Sequence, residues 1–248
     1  MVLPTYNEAE NLPEVLRRIR AAVPEVAVLV VDDASPDGTG QLAEQLAEEL
    51  GGVRVLHRGA KEGLGSAYRA GFTAVLEAGA TSVVSMDADL SHDPDVLPEL
   101  LAALRTPLRP AMVIGSRYVP GGAVVNWPVH RRLLSRWGNR YTAWALGLSV
   151  RDCTSGYRAY DADALRRIDV GSTTAEGYAF LSELARRASA DGQPVVEVPI
   201  TFVDRTRGRS KMSWRIVVES MVLVTRWAVA DRRGWRSRRS VTASEAAR

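Results

Sequence analysis

The sequence predicts an α/β protein built on a mostly parallel, doubly wound sheet flanked by helices, and three observations carry that expectation. Short apolar runs alternate with segments of helical periodicity through the first 120 residues, the order that right-handed βαβ crossovers require. Two of the runs end in paired carboxylates. Val26-Ala-Val-Leu-Val-Val31 leads into Asp32-Asp33, and Thr81-Ser-Val-Val-Ser-Met86 leads into Asp87-Ala88-Asp89. In a parallel sheet both pairs reach the edge formed by the carboxyl ends of the strands, where ligands of open α/β sheets bind.

The elements follow in order. Residues 1–4 form the first strand, short enough for a central strand that the natural chain is expected to begin several residues earlier. Leu12, Val15, Leu16 and Ile19 recur at helical spacing and predict a helix over 8–22, with Asn7 as its N-cap. The β-branched run 26–31 suits a strand buried on both faces. Ser35-Pro-Asp-Gly38 is turn chemistry before a helix over 39–50, followed by a strand at 53–56 and a helix over 65–78. The strand 81–86 ends in the acid pair, and a helix over 95–104 and a strand at 111–114 come next. Beyond Gly115, residues 116–127 hold Pro120-Gly-Gly122 and predict a long loop. Residues 129–146 predict a helix bearing Arg131, Arg132, Arg136, Arg140, Trp137 and Trp144. Helix 175–190, one strand over 195–202 and an apolar, Trp-containing amphipathic helix over 212–230 complete the pattern. The Arg- and Ser-rich residues 231–248 do not fold on their own.

Composition narrows the function. A chain of 248 residues, 46% hydrophobic and 25% charged, is ordinary for a globular domain. The single cysteine, Cys153, excludes an internal disulfide framework and a Cys-based zinc site, and fits a reducing cytosol. The formal net charge is +3, yet six arginines fall in residues 231–248 against Asp231 and Glu245. The basic excess is therefore a tail rather than a nucleic-acid-binding face. No stretch reaches the ~18 apolar residues of a membrane span. The best one, 216–229, is interrupted by Glu219 and Arg226. The chain opens directly into a turn motif, and no secretory signal peptide is expected. A dinucleotide fingerprint is missing too, since Gly63-Leu-Gly65 is an incomplete version in the wrong place.

Asp87 and Asp89 suit a hard divalent cation held against a diphosphate. Pro4-Thr-Tyr-Asn-Glu8 lies at the same sheet edge, where Tyr6 lays a flat ring against a nucleobase and Glu8 accepts its hydrogen bonds, or where the segment simply caps a helix. Asp33 accepts from a base or ribose, or belongs to an ordinary strand-end turn. Asp161, Asp163 and Glu183 read as surface acids, His92 as a structural or exposed loop residue, and Cys153 as a packed small side chain.

Leu3-Pro-Thr-Tyr-Asn-Glu8, Val30-Val-Asp-Asp-Ala-Ser-Pro-Asp-Gly-Thr39 and Met86-Asp-Ala-Asp-Leu-Ser-His92 resemble the signature of the inverting GT-A glycosyltransferases of family 2. Within it, Gly115-Ser-Arg-Tyr118, Cys153-Thr-Ser-Gly-Tyr-Arg158, Glu176-Gly-Tyr-Ala-Phe180 and Arg205-Thr-Arg-Gly-Arg-Ser-Lys-Met212 resemble the polyprenyl (dolichyl) phosphate mannose synthases. The resemblance runs in order from residue 3 to about 215 and implies a GT-A, Rossmann-like catalytic domain over 1–211. It leaves 212–230 as an interfacial or packing helix and 231–248 as a basic tail.

The implied reaction moves mannose from GDP-mannose to a polyprenyl monophosphate with inversion, releasing GDP. By the same resemblance Pro4, Tyr6, Glu8, Val31, Asp33, Ala88, Arg205 and Lys211 bind the donor, and Asp87 and Asp89 hold Mg²⁺ or Mn²⁺. Better-known relatives place a Gln at the third metal position, where this chain has Ser91. Arg117, Arg131 and Ser135 bind the acceptor phosphate, with Asp89 and Arg117 as the catalytic pair. A phosphate monoester is already anionic near neutral pH, so such a site needs cations for the acceptor rather than a general base. The expected partners are GDP-mannose, a polyprenyl phosphate in the membrane and a membrane-embedded partner protein, with no nucleic acid. The expected location is cytoplasmic, peripheral on the inner face of the plasma membrane. UDP-glucose or another nucleotide sugar on the same lipid is the alternative donor, and a catalytically silent nucleotide- or lipid-phosphate-binding module is the alternative of a different class.

Overall fold

A computed structural model describes residues 1–204 and 217–231. Its centre is a seven-stranded sheet in the order β3-β2-β1-β4-β7-β5-β8. The strands are β1 (Val2–Thr5), β2 (Val28–Asp32), β3 (Val53–His57), β4 (Ser82–Ser85), β5 (Met112–Ser116), β7 (Arg158–Asp161) and β8 (Val195–Pro199). All neighbours pair in parallel except β7, which runs antiparallel to both β4 and β5. A second, two-stranded parallel sheet joins β6 (Ala123–Val125) to β9 (Thr201–Val203).

Strand alternation splits the core into two layers. Val2, Val31, Val83, Met112 and Ile114 face α3 (Leu64–Glu77), α6 (Ala162–Arg167) and α7 (Gly177–Ala190). Leu3, Val30, Val84 and Val113 face α1 (Leu12–Ala22), α2 (Thr39–Leu50) and α4 (Leu97–Leu104). Leu12, Val15, Leu16 and Ile19 are wholly buried, as their spacing predicts. At ~25 cal/mol per Å² of apolar surface removed from water, two such layers dominate the driving force for folding.

Four expectations change. The helix over 8–22 begins at Leu12, with Asn11 at the N-cap and no side-chain cap bond. Asn7 instead adopts φ 56°, and its amide donates to Ser35 Oγ, so it turns the chain rather than capping a helix. The loop 116–127 contains β6, which has a partner only because the strand expected over 195–202 breaks in two. Pro199 ends the run along β5, and Ile200 bridges Ser116 and Ala123 before β9 turns to β6. Finally, β7 and α6 were not expected. The strand is four residues long and carries Arg158 fully buried, which hides its apolar character.

The helix α5 (Val129–Leu146) lies beside α8 (residues 217–231). Val224 and Ala228 of α8 are buried with Ala145, and Tyr141 Oη bonds Thr225 Oγ1 at 2.7 Å. Arg186 of α7 ties the end of α8 through Asp231. Val218, Val222 and Val229 point outward, so apolar residues occupy both the packed and the open sides of this helix. The start of the expected helix 212–230 and most of the tail 231–248 lie outside the described residues.

Candidate active site

Asp87, Ala88 and Asp89 follow β4 at the carboxyl edge of the sheet, as the acid-pair reading requires. Tyr68 Oη donates to Asp87 Oδ1 at 3.5 Å. Gly156 approaches the same carboxylate so closely that a Cβ there would lie 3.1 Å from Oδ1. Leu90 takes φ 62°, a left-handed conformation rare for a bulky apolar residue. That turn lets the Ser91 amide (3.1 Å) and hydroxyl both donate to Asp89 Oδ1. Ser91, at the third metal position of the resemblance, is buried and donates to the Asp89 carboxylate. His92 is buried, the structural alternative of its two readings. It is packed between Tyr157 and Phe202, 3.9 Å from Asp87, and burial lowers its pKa from 6.5 to about 4.

Two cavities meet at this acid pair. The first, about 650 Å³, is lined by Pro4, Tyr6, Glu8, Asp33, Asp87, Ala88 and Asp89. Its loops are fixed by local bonds: the Glu8 amide donates to Thr39 Oγ1 at 3.0 Å, and Asn11 Nδ2 to Glu8 Oε2 at 2.9 Å. The second acid pair divides. Asp32 turns away to accept from Thr5 Oγ1 and the Ser35 amide and hydroxyl, while Asp33 faces the cavity and is paired with Arg58. Val31 does not line the cavity, because its side chain is wholly buried toward α3, where Gly71 leaves room for it. Lys61 Nζ lies 3.8 Å from the centre of the Tyr6 ring. Sequence reasoning does not single out Arg58 or Lys61, because the Arg58-to-Gly65 segment has no motif beyond its glycines.

The second cavity, about 130 Å³, continues from Asp87 and Asp89 past His92, Arg117, Trp127, Arg131 and Ser135. Arg117 donates through Nε and Nη2 to both oxygens of Asp152 at 2.7 Å, and through Nη2 to Thr154 Oγ1 at 2.8 Å. Burial works against both charges, yet each holds the other ionised: Arg117 lies above its ordinary range and Asp152 below. Arg131 pairs with Asp204 at 3.1 Å and stacks over Trp127, its guanidinium carbon 4.0 Å from the ring centre. Ser135 Oγ accepts from Tyr118 Oη at 2.6 Å. Trp127 Nε1 and Arg131 Nε are buried donors without a partner among the described residues. Asp152, Trp127 and Asp204 were also missed; Asp152 directly precedes the Cys153 motif. The far end is apolar, with Leu134, Val217, Met221 and Val224, and Val217 and Met221 also line the open groove between α5 and α8.

Asp161 caps α6, Asp163 pairs with Arg166, and Glu183 pairs with Arg187 while accepting the Thr174 and Ala175 amides. None of the three lines either cavity. Arg205 and Lys211 lie outside the described residues.

Residues 1–169 match glycosyl transferase family 2. The chain belongs to that family. It is a glycosyltransferase of the GT-A fold, with the mostly parallel sheet and flanking helices that the sequence predicts. This family 2 chain is 54% identical over 231 residues to an undecaprenyl-phosphate mannosyltransferase of Micrococcus luteus, covering 93% of this chain and 94% of that protein. It is 48% identical over 233 residues to a polyprenol monophosphomannose synthase of Mycolicibacterium smegmatis, covering 94% and 87%. Among solved structures it resembles a mannosyltransferase from Pyrobaculum calidifontis in complex with GDP-Man and Mn²⁺, with a TM-score of 0.63 and 20% identity over 92% of this chain and 63% of that one. Glucosyl-3-phosphoglycerate synthase from Mycobacterium tuberculosis, in complex with UDP, gives the same TM-score and identity over 92% and 78%.

The donor set at Asp87 and Asp89 fits a divalent cation. Two carboxylates supply hard oxygen ligands, and among the described residues no group of three His, Cys, Asp or Glu converges to enclose a metal. A cation held by the two carboxylates would take its remaining ligands from phosphate oxygens and water, as Mg²⁺ does in phosphate chemistry.

Proposed function

We propose that this glycosyltransferase transfers mannose from GDP-mannose to a polyprenyl monophosphate, with inversion at the anomeric carbon and release of GDP. The observation that carries the reading is the meeting of the two cavities at Asp87 and Asp89, one lined by Tyr6, Glu8 and Asp33, the other by arginines and then by apolar side chains. The names of the two relatives, a mannosyltransferase acting on undecaprenyl phosphate and a polyprenol monophosphomannose synthase, support it.

In this reading Tyr6 stacks on the base, while Glu8 and Asp33 accept its hydrogen bonds or those of the ribose. Asp87 and Asp89 hold Mg²⁺ or Mn²⁺, which supplies Lewis acidity to the departing diphosphate. Arg205 and Lys211 bind the same diphosphate. Arg117, Arg131 and Ser135 receive the acceptor phosphate, and the buried N–H groups of Trp127 and Arg131 gain a partner when it arrives. The phosphate oxygen bonds to the anomeric carbon as the bond to GDP breaks, and GDP leaves with the electron pair. No general base is needed, because the nucleophile enters already ionised.

The acceptor's tail must remain in lipid, and the surface around the groove suits a peripheral position on the inner face of the plasma membrane. Among the described residues no helix is long and apolar enough to cross a membrane. Val129, Leu133, Trp137 and Trp144 of α5 are exposed beside Arg132, Arg136 and Arg140, a mixture that favours an anionic interface.

The test is transfer from radiolabelled GDP-mannose into organic-extractable lipid with purified protein and polyprenyl phosphate, with Mg²⁺ or Mn²⁺ and with EDTA. Metal-dependent mannolipid, lost in Asp89→Asn, is the expected result. Glucolipid from UDP-glucose replaces the donor, turnover unaffected by EDTA removes the cation, and tight GDP binding without any lipid product leaves a silent binder.

A further inference from the structure

The Glu176-Gly-Tyr-Ala-Phe180 segment has no part in the roles above, yet it reaches the centre of the site. Asp87, Asp89, Gly156, Tyr178 and Ser220 line both cavities, and Tyr178 has the largest side chain of the five. Its approach is held by a set of bonds. The Thr174 and Ala175 amides donate to Glu183 Oε2 at 3.3 and 3.1 Å, and Arg69 Nη1 donates to the Ala175 carbonyl at 2.9 Å. The Glu176 carboxylate accepts the Ser66 amide at 3.2 Å and pairs with Arg69. Gly63 and Gly65 make room for it, since a Cβ on either would fall within 2.8 and 2.9 Å of Glu176 Oε2. Gly177 then turns at φ 55° into α7, whose first turn presents Tyr178.

We propose that Tyr178 bounds the transferred sugar where the two cavities meet and selects which hexose epimer is moved. The inference rests on the glycosyl-transfer reading above. The new bond joins the sugar of one cavity to the phosphate of the other, so the anomeric carbon must lie at their junction. The acids there belong to the diphosphate side, Gly156 offers no side chain, and Ser220 offers a short hydroxyl without an apolar face. Tyr178 supplies an apolar ring face for the C–H surface of a hexose and a hydroxyl for its hydroxyl groups. A site that bonds a particular hydroxyl discriminates against an analogue that displaces it.

The experiment compares kcat/KM for GDP-mannose and GDP-glucose, its C2 epimer, in the wild-type protein, Tyr178→Phe and Tyr178→Ala, alongside the Kd for GDP. Tyr178→Ala is expected to narrow the mannose preference by about tenfold or more while GDP affinity stays within about twofold. Loss of preference in both variants assigns selection to the hydroxyl, and loss in Tyr178→Ala alone assigns it to the ring. An unchanged preference, or GDP affinity falling in step with turnover, overturns the proposal. Should Tyr178→Ala not fold, Tyr178→Leu, which removes both ring and hydroxyl and keeps an apolar side chain, decides on the same ratio. A wild-type protein that uses UDP-glucose and ignores GDP-mannose overturns the donor reading instead. The Tyr178 proposal then stands or falls on the preference for UDP-glucose over its C4 epimer, UDP-galactose.

Discussion

Arg117 and Asp152 form a buried, two-pronged ion pair, with both carboxylate oxygens 2.7 Å from guanidinium nitrogens and the Arg117 amide 3.0 Å from Oδ2. Asp152 also accepts the Thr154 and Ser155 amides, and its own amide donates to Glu197. One carboxylate thus fixes both the arginine and the loop that carries Gly156 to Asp87. Removing it leaves a buried, uncompensated charge. Asp152→Ala is expected to cost about 3–5 kcal/mol in urea unfolding, against about 1 kcal/mol for Thr154→Val.

Trp127 separates ring from donor cleanly. Trp127→Phe keeps an aromatic face for Arg131 and removes the buried Nε1–H. If that N–H serves the acceptor phosphate, the KM for polyprenyl phosphate rises by about five- to tenfold, the worth of one hydrogen bond, and the KM for GDP-mannose is unchanged. Steady-state kinetics with each substrate varied in turn checks it, and equal rises in both KM values count against the assignment.

Two glycines should respond with opposite signs. A Cβ on Gly65 would lie 2.5 Å from the Ala175 carbonyl oxygen, so Gly65→Ala displaces the segment that carries Tyr178 and is expected to cost about 1–3 kcal/mol. Gly138 sits inside α5 with nothing within 4 Å of the same added atom. Gly138→Ala gains helix propensity and is expected to stabilise by about 0.5–1 kcal/mol. Denaturant midpoints of the two variants provide the check.

His92 makes stability depend on pH. Its folded pKa of about 4 lies below the ordinary 6.5 because burial disfavours the imidazolium. Between those values the unfolded chain binds a proton that the folded chain refuses, so stability falls as pH drops from 6.5 toward 4 and is fully retained above 6.5. The loss attributable to this group is of order 3 kcal/mol. Unfolding of His92→Gln, followed over the same pH range, should lack that share of the slope.

The sheet edge and its acids were legible because the strands that deliver them are continuous apolar runs, and α1 because its four buried residues keep helical spacing. β7 was not legible. Its residues Arg158 and Tyr160 are both fully buried, and the arginine is satisfied by the Ser155, Cys153 and Leu181 carbonyls rather than by an acid, so nothing in the local pattern reads as a strand. Arg117 was found by its motif, but its commitment to Asp152 depends on a pairing across 35 positions. Tyr178 could be placed on a helix from periodicity, whereas its position between two cavities follows from the packing of α3 against α7.

The antiparallel strand has a consequence for the order in which the molecule comes into being. β7 is the seam between β4 and β5, so a nascent chain that has emerged only to residue 157 holds a four-stranded sheet with β4 as a bare hydrogen-bonding edge and β5 with neither of its strand partners. Such edges recruit other strands, and the interval before residues 158–161 arrive is when this protein is most exposed to misassembly. The same strand brings Gly156 to Asp87, so the junction of the two cavities is a late product of synthesis rather than a property of the amino-terminal half.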